Sequence, residues 1–96
     1  MEWPASKRRP ALVVSSRSFN DRNGHSVMAM ITTAKREIWP DDMPIAMPKS
    51  AGLNQECVVR WKLFTLPNSF VTRVIGELSA KDKSAMQARW MEVFGA

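Results

Sequence analysis

The chain has 96 residues, 45% of them hydrophobic, which allows one small globular domain with a single core and argues against disorder. Fourteen Lys and Arg residues against nine Asp and Glu give a formal net charge of +5, which favours a polyanionic partner, either nucleic acid or an acidic protein segment. The single cysteine, Cys57, excludes an intramolecular disulfide and lies in an apolar run, where a buried hydrophobe is expected. No apolar run reaches the roughly 20 residues of a membrane span, so we expect one cytoplasmic domain over residues 1–96.

The N-terminal third predicts an irregular arm followed by a β-hairpin. Residues 1–8 are polar and contain a proline, whereas Ala11–Ser15 is apolar on both faces, as in a buried strand. Arg9-Pro10 stands at the mouth of this strand, where the proline holds Arg9 in an extended conformation. Asn20–Gly24 contains Asn-Gly, which readily adopts the positive φ of a tight reversal. With Val27–Thr33 as a second strand, the sequence predicts a hairpin.

The middle of the chain predicts loops and two further strands. Ala34–Pro48 holds three prolines and predicts a long loop with at most one short strand, around Met43–Met47. Ala51–Gln55 predicts another turn. Cys57–Phe64 predicts a third strand, and the looser alternation of Phe70–Leu78 makes it a possible fourth.

The C-terminal segment, residues 79–94, predicts a helix. Ser79 and Asp82 form a capping pair at its start, and no helix breaker follows until Gly95. One apolar stripe at helical spacing predicts the face that packs on the sheet, formed by Met86, Trp90, Val93 and Phe94. Short strands followed by a terminal helix predict a small, strongly bent sheet or barrel.

An ordered set of short motifs resembles the MazF/PemK family of toxins, single-strand-specific endoribonucleases of bacterial toxin–antitoxin pairs. The motifs are Arg-Pro-Ala-Leu-Val at 9–13, Ile-Thr at 31–32, Ala-Gly-Leu at 51–53, Val-Val-Arg at 58–60 and Ile-Gly-Glu-Leu-Ser at 75–79. The resemblance runs from about Arg8 to the end of the chain. It implies a mainly β fold, an SH3-like small β-barrel of the MazF/PemK/CcdB type with a C-terminal helix, and an enzyme without a cofactor.

The same resemblance identifies Arg9 and Thr32 as the catalytic pair. The implied reaction needs no metal: the 2′-hydroxyl of RNA attacks its own phosphate, leaving a cyclic phosphate and a free 5′-hydroxyl. A guanidinium offers a planar fork for phosphate, and a threonine hydroxyl offers a hydrogen bond. Because arginine holds its proton so tightly, Arg9 is expected to act by charge rather than by proton transfer. The remaining RNA-binding candidates are Lys7, Arg8, Asn20, Thr33, Lys35, Arg36, Arg60 and Lys62.

Two other groups are expected to have no catalytic role. His25, the only histidine, lies beside the predicted Asn-Gly turn, where an exposed structural role is expected. Asp41 and Asp42 are adjacent carboxylates without a histidine or a third acid, which is poor ligation for a metal. The sequence therefore predicts no metal site.

The chain departs from the family pattern in two places, which leaves alternative functions open. Only Met1–Lys7 stand where family members carry a first strand, so that strand is expected to be truncated, and Lys62 replaces an acidic residue of several members. A catalytically weakened family member is one alternative. Another is a CcdB-like gyrase poison. Such poisons bind gyrase through the end of their C-terminal helix, and the residues Phe94-Gly95-Ala96 weakly resemble that end. Every alternative predicts a homodimer and an antitoxin that binds through a disordered, often acidic segment.

Overall fold

The structure is a computed structural model that describes residues 9–34 and 37–95. The described part contains four strands, two α-helices and one 3-10 turn: β1 (Ala11–Val13), α1 (Arg17–Asn23), β2 (His25–Thr33), β3 (Met43–Pro44), β4 (Cys57–Pro67), the turn Asn68–Phe70 and α2 (Ala80–Phe94). The strands form one sheet in the order β1-β2-β4-β3. The expected mainly β fold with a C-terminal helix is confirmed. Within the described residues, no helix is long and apolar enough to cross a membrane.

Internal contacts divide the chain into two units, and the division falls within strands β2 and β4. The first unit comprises residues up to Ile31 together with Trp61–Val74, and the second comprises Thr32–Arg60 together with residues from Ile75 onward. Met28 and Ala29 are buried in the first unit. Most buried apolar side chains belong to the second: Met43, Ile45, Ala51, Leu53, Cys57, Val58, Val59 and Leu78.

The first unit contains the predicted hairpin but not the predicted tight turn. β1 and β2 are antiparallel, with Ala11 opposite Met30 and Val13 opposite Met28, which confirms the pairing. The connection between them is α1. Ser16 caps this helix, since its Oγ accepts a hydrogen bond from the N–H of Phe19 at 3.1 Å.

Gly24 supplies the positive φ that the Asn-Gly pair predicted, but it does so at the end of a helix. Its φ is 68°, and its N–H donates to the Asn20 carbonyl oxygen at 3.0 Å. A left-handed glycine at this position ends helices as readily as it forms tight turns. The prediction of a tight turn at Asn20–Gly24 was therefore wrong. Ser16 caps the start of a helix in this segment, and Gly24 ends that helix.

The second unit contains the edge strand β3 paired with β4. Met43 lies opposite Val59 and Pro44 opposite Val58, so the short strand predicted in the proline-rich loop is confirmed. The predicted third strand is also confirmed, although β4 continues beyond Phe64 to Pro67. Cys57 is buried, as expected, and burial raises the pKa of its thiol.

The possible fourth strand at Phe70–Leu78 was wrong. Phe70 ends the 3-10 turn, and residues 71–79 have no regular secondary structure. In the second unit, Gly76 lies so close to the turn at Ala51 that an added Cβ would stand 2.4 Å from the Ala51 carbonyl carbon. Ile75 in this segment is 42% exposed. The segment contacts a neighbouring backbone turn instead of pairing as a strand.

Helix α2 confirms the predicted capping pair and gives Asp82 a larger role. Ser79 Oγ accepts from the Asp82 N–H at 3.1 Å, while the Asp82 carboxylate accepts from the backbone N–H groups of Ala46 at 2.9 Å and Met47 at 3.0 Å. Asp82 is only 1% exposed. Burial acts to raise the pKa of Asp82, but these hydrogen bonds, the Ser79 hydroxyl and the charge of Lys81 together hold it below its ordinary value. The carboxylate therefore ties the start of α2 to the loop after β3.

Candidate functional site

A cleft of about 390 Å³ in the first unit combines positive charge with apolar surface. Its lining residues are Arg9, Pro10, Met30, Ile31, Lys62, Leu63 and Phe64. The described lining thus contributes two cations and an aromatic ring, and no carboxylate. Its volume falls within the roughly 300–1,000 Å³ typical of small-molecule sites. Such a cleft suits an anion attached to a flat apolar group.

Sheet pairing brings the cleft residues together from three parts of the chain. Arg9 and Pro10 precede β1, which is paired with β2 near Met30. β4 is the other neighbour of β2 and contributes Lys62 and the residues after it. Arg9 and Lys62 are both exposed.

The sequence predicted the two cations of the cleft but not its apolar wall. Met30 could have been found by extending the hairpin register from Ala11, since the strand pairing itself was predicted. No sequence pattern indicated that Phe64 lines the cleft, because its position there depends on the pairing of β4 with β2. Aromatic side chains beside basic ones are typical of sites that bind single-stranded nucleic acid.

Arg60 has an intramolecular role in the second unit. Its Nη2 lies 2.8 Å from Asp42 Oδ2 and donates to the Glu37 carbonyl oxygen at 2.9 Å, while its Nε donates to Asp42 Oδ1 at 3.1 Å. The guanidinium carbon also stands 4.5 Å from the centre of the Trp39 ring, a cation–π contact. The paired side chains of Arg60 and Asp42 are 12% and 2% exposed. These contacts hold within the fold a guanidinium that the sequence predicted as an RNA contact.

The Asp42 carboxylate is the centre of that cluster. It also accepts a hydrogen bond from the Trp39 N–H at 2.9 Å. Burial acts to raise the pKa of Asp42, yet the hydrogen bonds from Arg60 and Trp39 and the charge of Arg60 lower it overall. The hydrogen bonds that Arg60 donates to the Asp42 carboxylate in turn raise the pKa of Arg60. Nothing in the sequence linked these two residues, which stand 18 positions apart.

The other predicted RNA-binding residues are distributed over both units. Asn20 lies on α1, where its carbonyl oxygen accepts from Asn68 Nδ2 at 2.9 Å and its side-chain oxygen accepts from Ser15 Oγ. Thr32 and Thr33 end β2 and are half-buried. Four predicted basic residues lie outside the described part of the chain: Lys7, Arg8, Lys35 and Arg36.

His25 is exposed, as expected, with its Nδ1 3.0 Å from the Asn23 carbonyl oxygen. Within residues 9–34 and 37–95, no group of three or more His, Cys, Asp or Glu side chains is arranged to hold a metal ion. Asp42, one of the two adjacent carboxylates considered from the sequence, is instead the partner of Arg60.

The chain matches one family model and several solved structures. The family model describes a PemK-like, MazF-like toxin of a type II toxin–antitoxin system and matches residues 4–94. The Mycobacterium tuberculosis toxin MazF-mt6 is 28% identical, with a TM-score of 0.76 over 93% of this chain and 88% of that one. A MazE–MazF structure from Deinococcus radiodurans is 19% identical, with a TM-score of 0.74 over 98% of this chain and 86% of that one, which shows the fold alone. The search of curated proteins gave no match.

Proposed function

The chain belongs to the PemK-like, MazF-like family of toxins of type II toxin–antitoxin systems, and from this membership we propose that it is an endoribonuclease that cleaves single-stranded RNA and inhibits growth. The observation that carries the proposal is the cleft of the first unit, where Arg9 and Lys62 stand beside Phe64. Two cations without a carboxylate attract a phosphodiester, and the apolar wall offers a surface for a base.

Single-stranded RNA fits this cleft better than a duplex does. Stacking of one base on an aromatic side chain contributes about 1–3 kcal/mol and requires an unpaired, splayed base. Phe64 is the aromatic side chain of the described lining, while Arg9 offers its guanidinium to phosphate oxygens. We therefore assign the base to Phe64 and the scissile phosphate to Arg9.

Arg9 and Thr32 are the catalytic pair that the family membership suggests. The guanidinium stabilises charge on the phosphate oxygens during attack by the 2′-hydroxyl, and the threonine hydroxyl supplies a hydrogen bond. Arg9 and Lys62, the two cleft cations, supply the positive charge of a metal-free reaction.

We propose a homodimer and a proteinaceous antitoxin as the partners of this toxin in the cytoplasm. The Deinococcus radiodurans structures are complexes of MazE with MazF, and they share the fold of this chain. The net charge of +5 favours an acidic antitoxin segment. Helix α2 also leaves Met91 57% exposed and Phe94 44% exposed, apolar area that a second chain would bury. Light scattering of the purified protein tests the dimer, and co-expression with the product of the neighbouring gene tests the antitoxin.

The first experiment compares RNA cleavage by the wild type and Arg9→Ala in EDTA. A long single-stranded RNA is incubated with each protein, and the fragments are mapped by primer extension. We expect discrete fragments from the wild type and a rate lower by roughly 10³-fold or more for Arg9→Ala, because a preorganised phosphate contact is lost. Thr32→Val, which keeps the shape but removes the hydroxyl, is also expected to slow cleavage.

Arg73→Ala is the matched control, since Arg73 is exposed and lies outside the cleft lining. It removes the same charge and is expected to cleave like the wild type. Full activity of a folded Arg9→Ala protein would rule out the catalytic role of Arg9. The absence of fragments from a folded wild type would favour a weakened toxin or a poison of a protein target.

A further inference from the structure

A tryptophan of the second unit is held at the surface by the Arg60 and Asp42 pair. The Arg60 guanidinium carbon stands 4.5 Å from the centre of the Trp39 ring, and the Trp39 backbone N–H donates to Asp42 Oδ2 at 2.9 Å. Arg60 is itself fixed, because it donates to both carboxylate oxygens of Asp42. A ligand that stacks on Trp39 therefore meets a side chain whose position is already set, which lowers the entropic cost of binding.

Part of this apolar surface remains accessible to solvent. Trp39 is 36% exposed, and its neighbour Ile38 is 73% exposed. Adjacent exposed apolar side chains are typical of surfaces that bind a ligand. A flat apolar group can cover the exposed part of the ring while Arg60 and Asp42 keep the contacts that hold it.

A carboxylate stands at the edge of the same ring. Glu37 Oε1 accepts a hydrogen bond from Trp39 Nε1 at 3.3 Å, and Glu37 is exposed. The two oxygens of a carboxylate offer about four lone-pair positions, so one long hydrogen bond leaves most of this accepting capacity for a ligand. The surface thus combines a flat apolar face with a hydrogen-bond acceptor at its rim.

This combination selects a nucleobase as the ligand. Glu37 and Asp41 are exposed carboxylates close to Trp39 in the chain, and they repel an acidic protein segment. A base is uncharged, stacks on an aromatic ring and is recognised through the donors and acceptors of its edge. Among the four bases of RNA, guanine has two adjacent donors on its Watson–Crick edge, the N1–H and the exocyclic amino group. These two donors match the two oxygens of one carboxylate.

We propose that Trp39 and Glu37 form a guanine-binding subsite of the toxin. The base of a single-stranded RNA stacks on the Trp39 ring and donates its N1–H and amino hydrogens to the Glu37 carboxylate. Arg60 and Asp42 position the ring and do not contact the base. The assignment of this guanine to an RNA substrate rests on the proposed function. The subsite gives the toxin a preference for RNA that contains guanine.

The first test follows the indole N–H signal of Trp39 in nitrogen–proton correlation NMR spectra. The chain has four tryptophans, and the spectrum of Trp39→Phe identifies the signal. The two ligands are guanosine 5′-monophosphate and inosine 5′-monophosphate, which lacks only the exocyclic amino group. Glu37→Gln removes the charge of the acceptor at nearly constant size. Glu56→Gln is the matched control, since Glu56 is an exposed glutamate of the same unit.

Guanosine monophosphate is expected to shift the Trp39 signal of the wild type to saturation. Inosine monophosphate should bind roughly 10-fold more weakly, because one donor of the bidentate pair is missing. Glu37→Gln should lose most of this difference, whereas Glu56→Gln should keep it.

The second test measures cleavage of a guanine-containing RNA by Trp39→Ala and Glu37→Gln, after circular dichroism has established their folding. Both variants should raise KM roughly 10-fold and keep kcat close to the wild-type value, because they weaken binding of a base and leave the reacting phosphate unaffected. Arg9→Ala provides the contrast, since its loss is expected in kcat.

Four results would overturn the guanine subsite: an unmoved Trp39 signal, equal affinity of the wild type for the two nucleotides, a difference that survives in Glu37→Gln, and an unchanged KM in both variants. Any of these, together with RNA cleavage by the wild type, would leave the proposed ribonuclease intact. Binding of guanosine monophosphate at Trp39 by a protein that cleaves no RNA would instead contradict the ribonuclease, and with it the assignment of the guanine to an RNA substrate.

Discussion

Charged side chains have different surroundings in the two units of the molecule. In the first unit, Arg9 and Lys62 line an open cleft whose described walls hold no carboxylate. In the second, the carboxylates of Asp42 and Asp82 are buried, and these carboxylates and the Arg60 guanidinium have partners within the fold. The charged side chains of the second unit therefore bind partners within the fold, whereas those of the cleft in the first unit are exposed.

This difference shows how one residue type acquires two roles within a single small chain. Arg9 and Arg60 have the same guanidinium, but only Arg60 has a buried carboxylate at 2.8 Å and an aromatic ring beneath it. Removal of one partner of such an ion pair destabilises the fold, because it leaves an uncompensated buried charge. Substitutions in the second unit should therefore change stability first, whereas those in the cleft should change chemistry first.

The largest effect on stability is expected from Asp82→Ala. The change leaves the N–H groups of Ala46 and Met47 without their acceptor in a region where the carboxylate was 1% exposed. We expect the free energy of unfolding to fall by about 3 kcal/mol, measured by urea denaturation. Arg9→Ala, the cleft counterpart, should change it by no more than about 0.5 kcal/mol. Equal losses for the two variants would contradict the division of roles.

Acidification should destabilise the fold, because it protonates the carboxylates of the second unit. The free energy of unfolding should fall by less than it does in Asp82→Ala. The pKa values of Asp42 and Asp82 lie below the ordinary 3.8 in the folded chain. A lowered folded pKa means that their stabilisation is complete above the unfolded value and is lost as the pH falls through the folded one. Thermal unfolding followed from pH 7 down to about pH 2 should show the fall in Tm concentrated below about pH 4.

The double variant Asp42→Asn with Asp82→Asn identifies the source of that pH dependence. At pH 7 the double variant should have a lower Tm than the wild type. On acidification its Tm should fall by less than the wild-type Tm does. Asp41→Asn is the matched control, because Asp41 is exposed and adjacent to Asp42. An unaltered acid profile in the double variant would assign the pH dependence to other groups.

A smaller effect than that of Asp82→Ala is expected in the first unit, from Ser16→Ala at the start of α1. The change removes the acceptor of the Phe19 N–H, a helix cap that typically contributes about 1 kcal/mol. Ser16→Asp keeps an acceptor and should restore the loss, with both variants followed by thermal unfolding. A loss as large as that of Asp82→Ala would show that the first unit depends on local polar contacts as strongly as the second does.

The sequence predicted much of the fold and two of the seven residues that line the candidate cleft, Arg9 and Lys62. The capping pair Ser79 and Asp82 predicted α2, and the apolar runs predicted the β1–β2 pairing. The resemblance to the MazF/PemK family, carried in part by the Arg-Pro motif, predicted Arg9 as a catalytic residue. These features depend on residues close together in the chain or on strongly patterned runs, which is why sequence alone reveals them.

Other features depended on contacts that no local pattern encodes. The Asn-Gly pair suited a tight turn and a helix end equally, and the Ser16 cap decided in favour of α1. Residues 71–79 form no strand, and Gly76 instead lies close to the backbone of Ala51.

The sequence by itself predicted the family, the strands that the structure contains, the C-terminal helix and the basic residues of the candidate site, but not α1. Only the tertiary structure decided which of those basic residues line the cleft and which are held within the fold, because that depends on what folding places around each of them. A carboxylate 18 positions away holds Arg60, whereas the pairing of β1, β2 and β4 puts Lys62 in a cleft with Arg9. Electrostatic environment is a property of neighbours in space, and neighbours distant in the chain are set by packing rather than by local pattern.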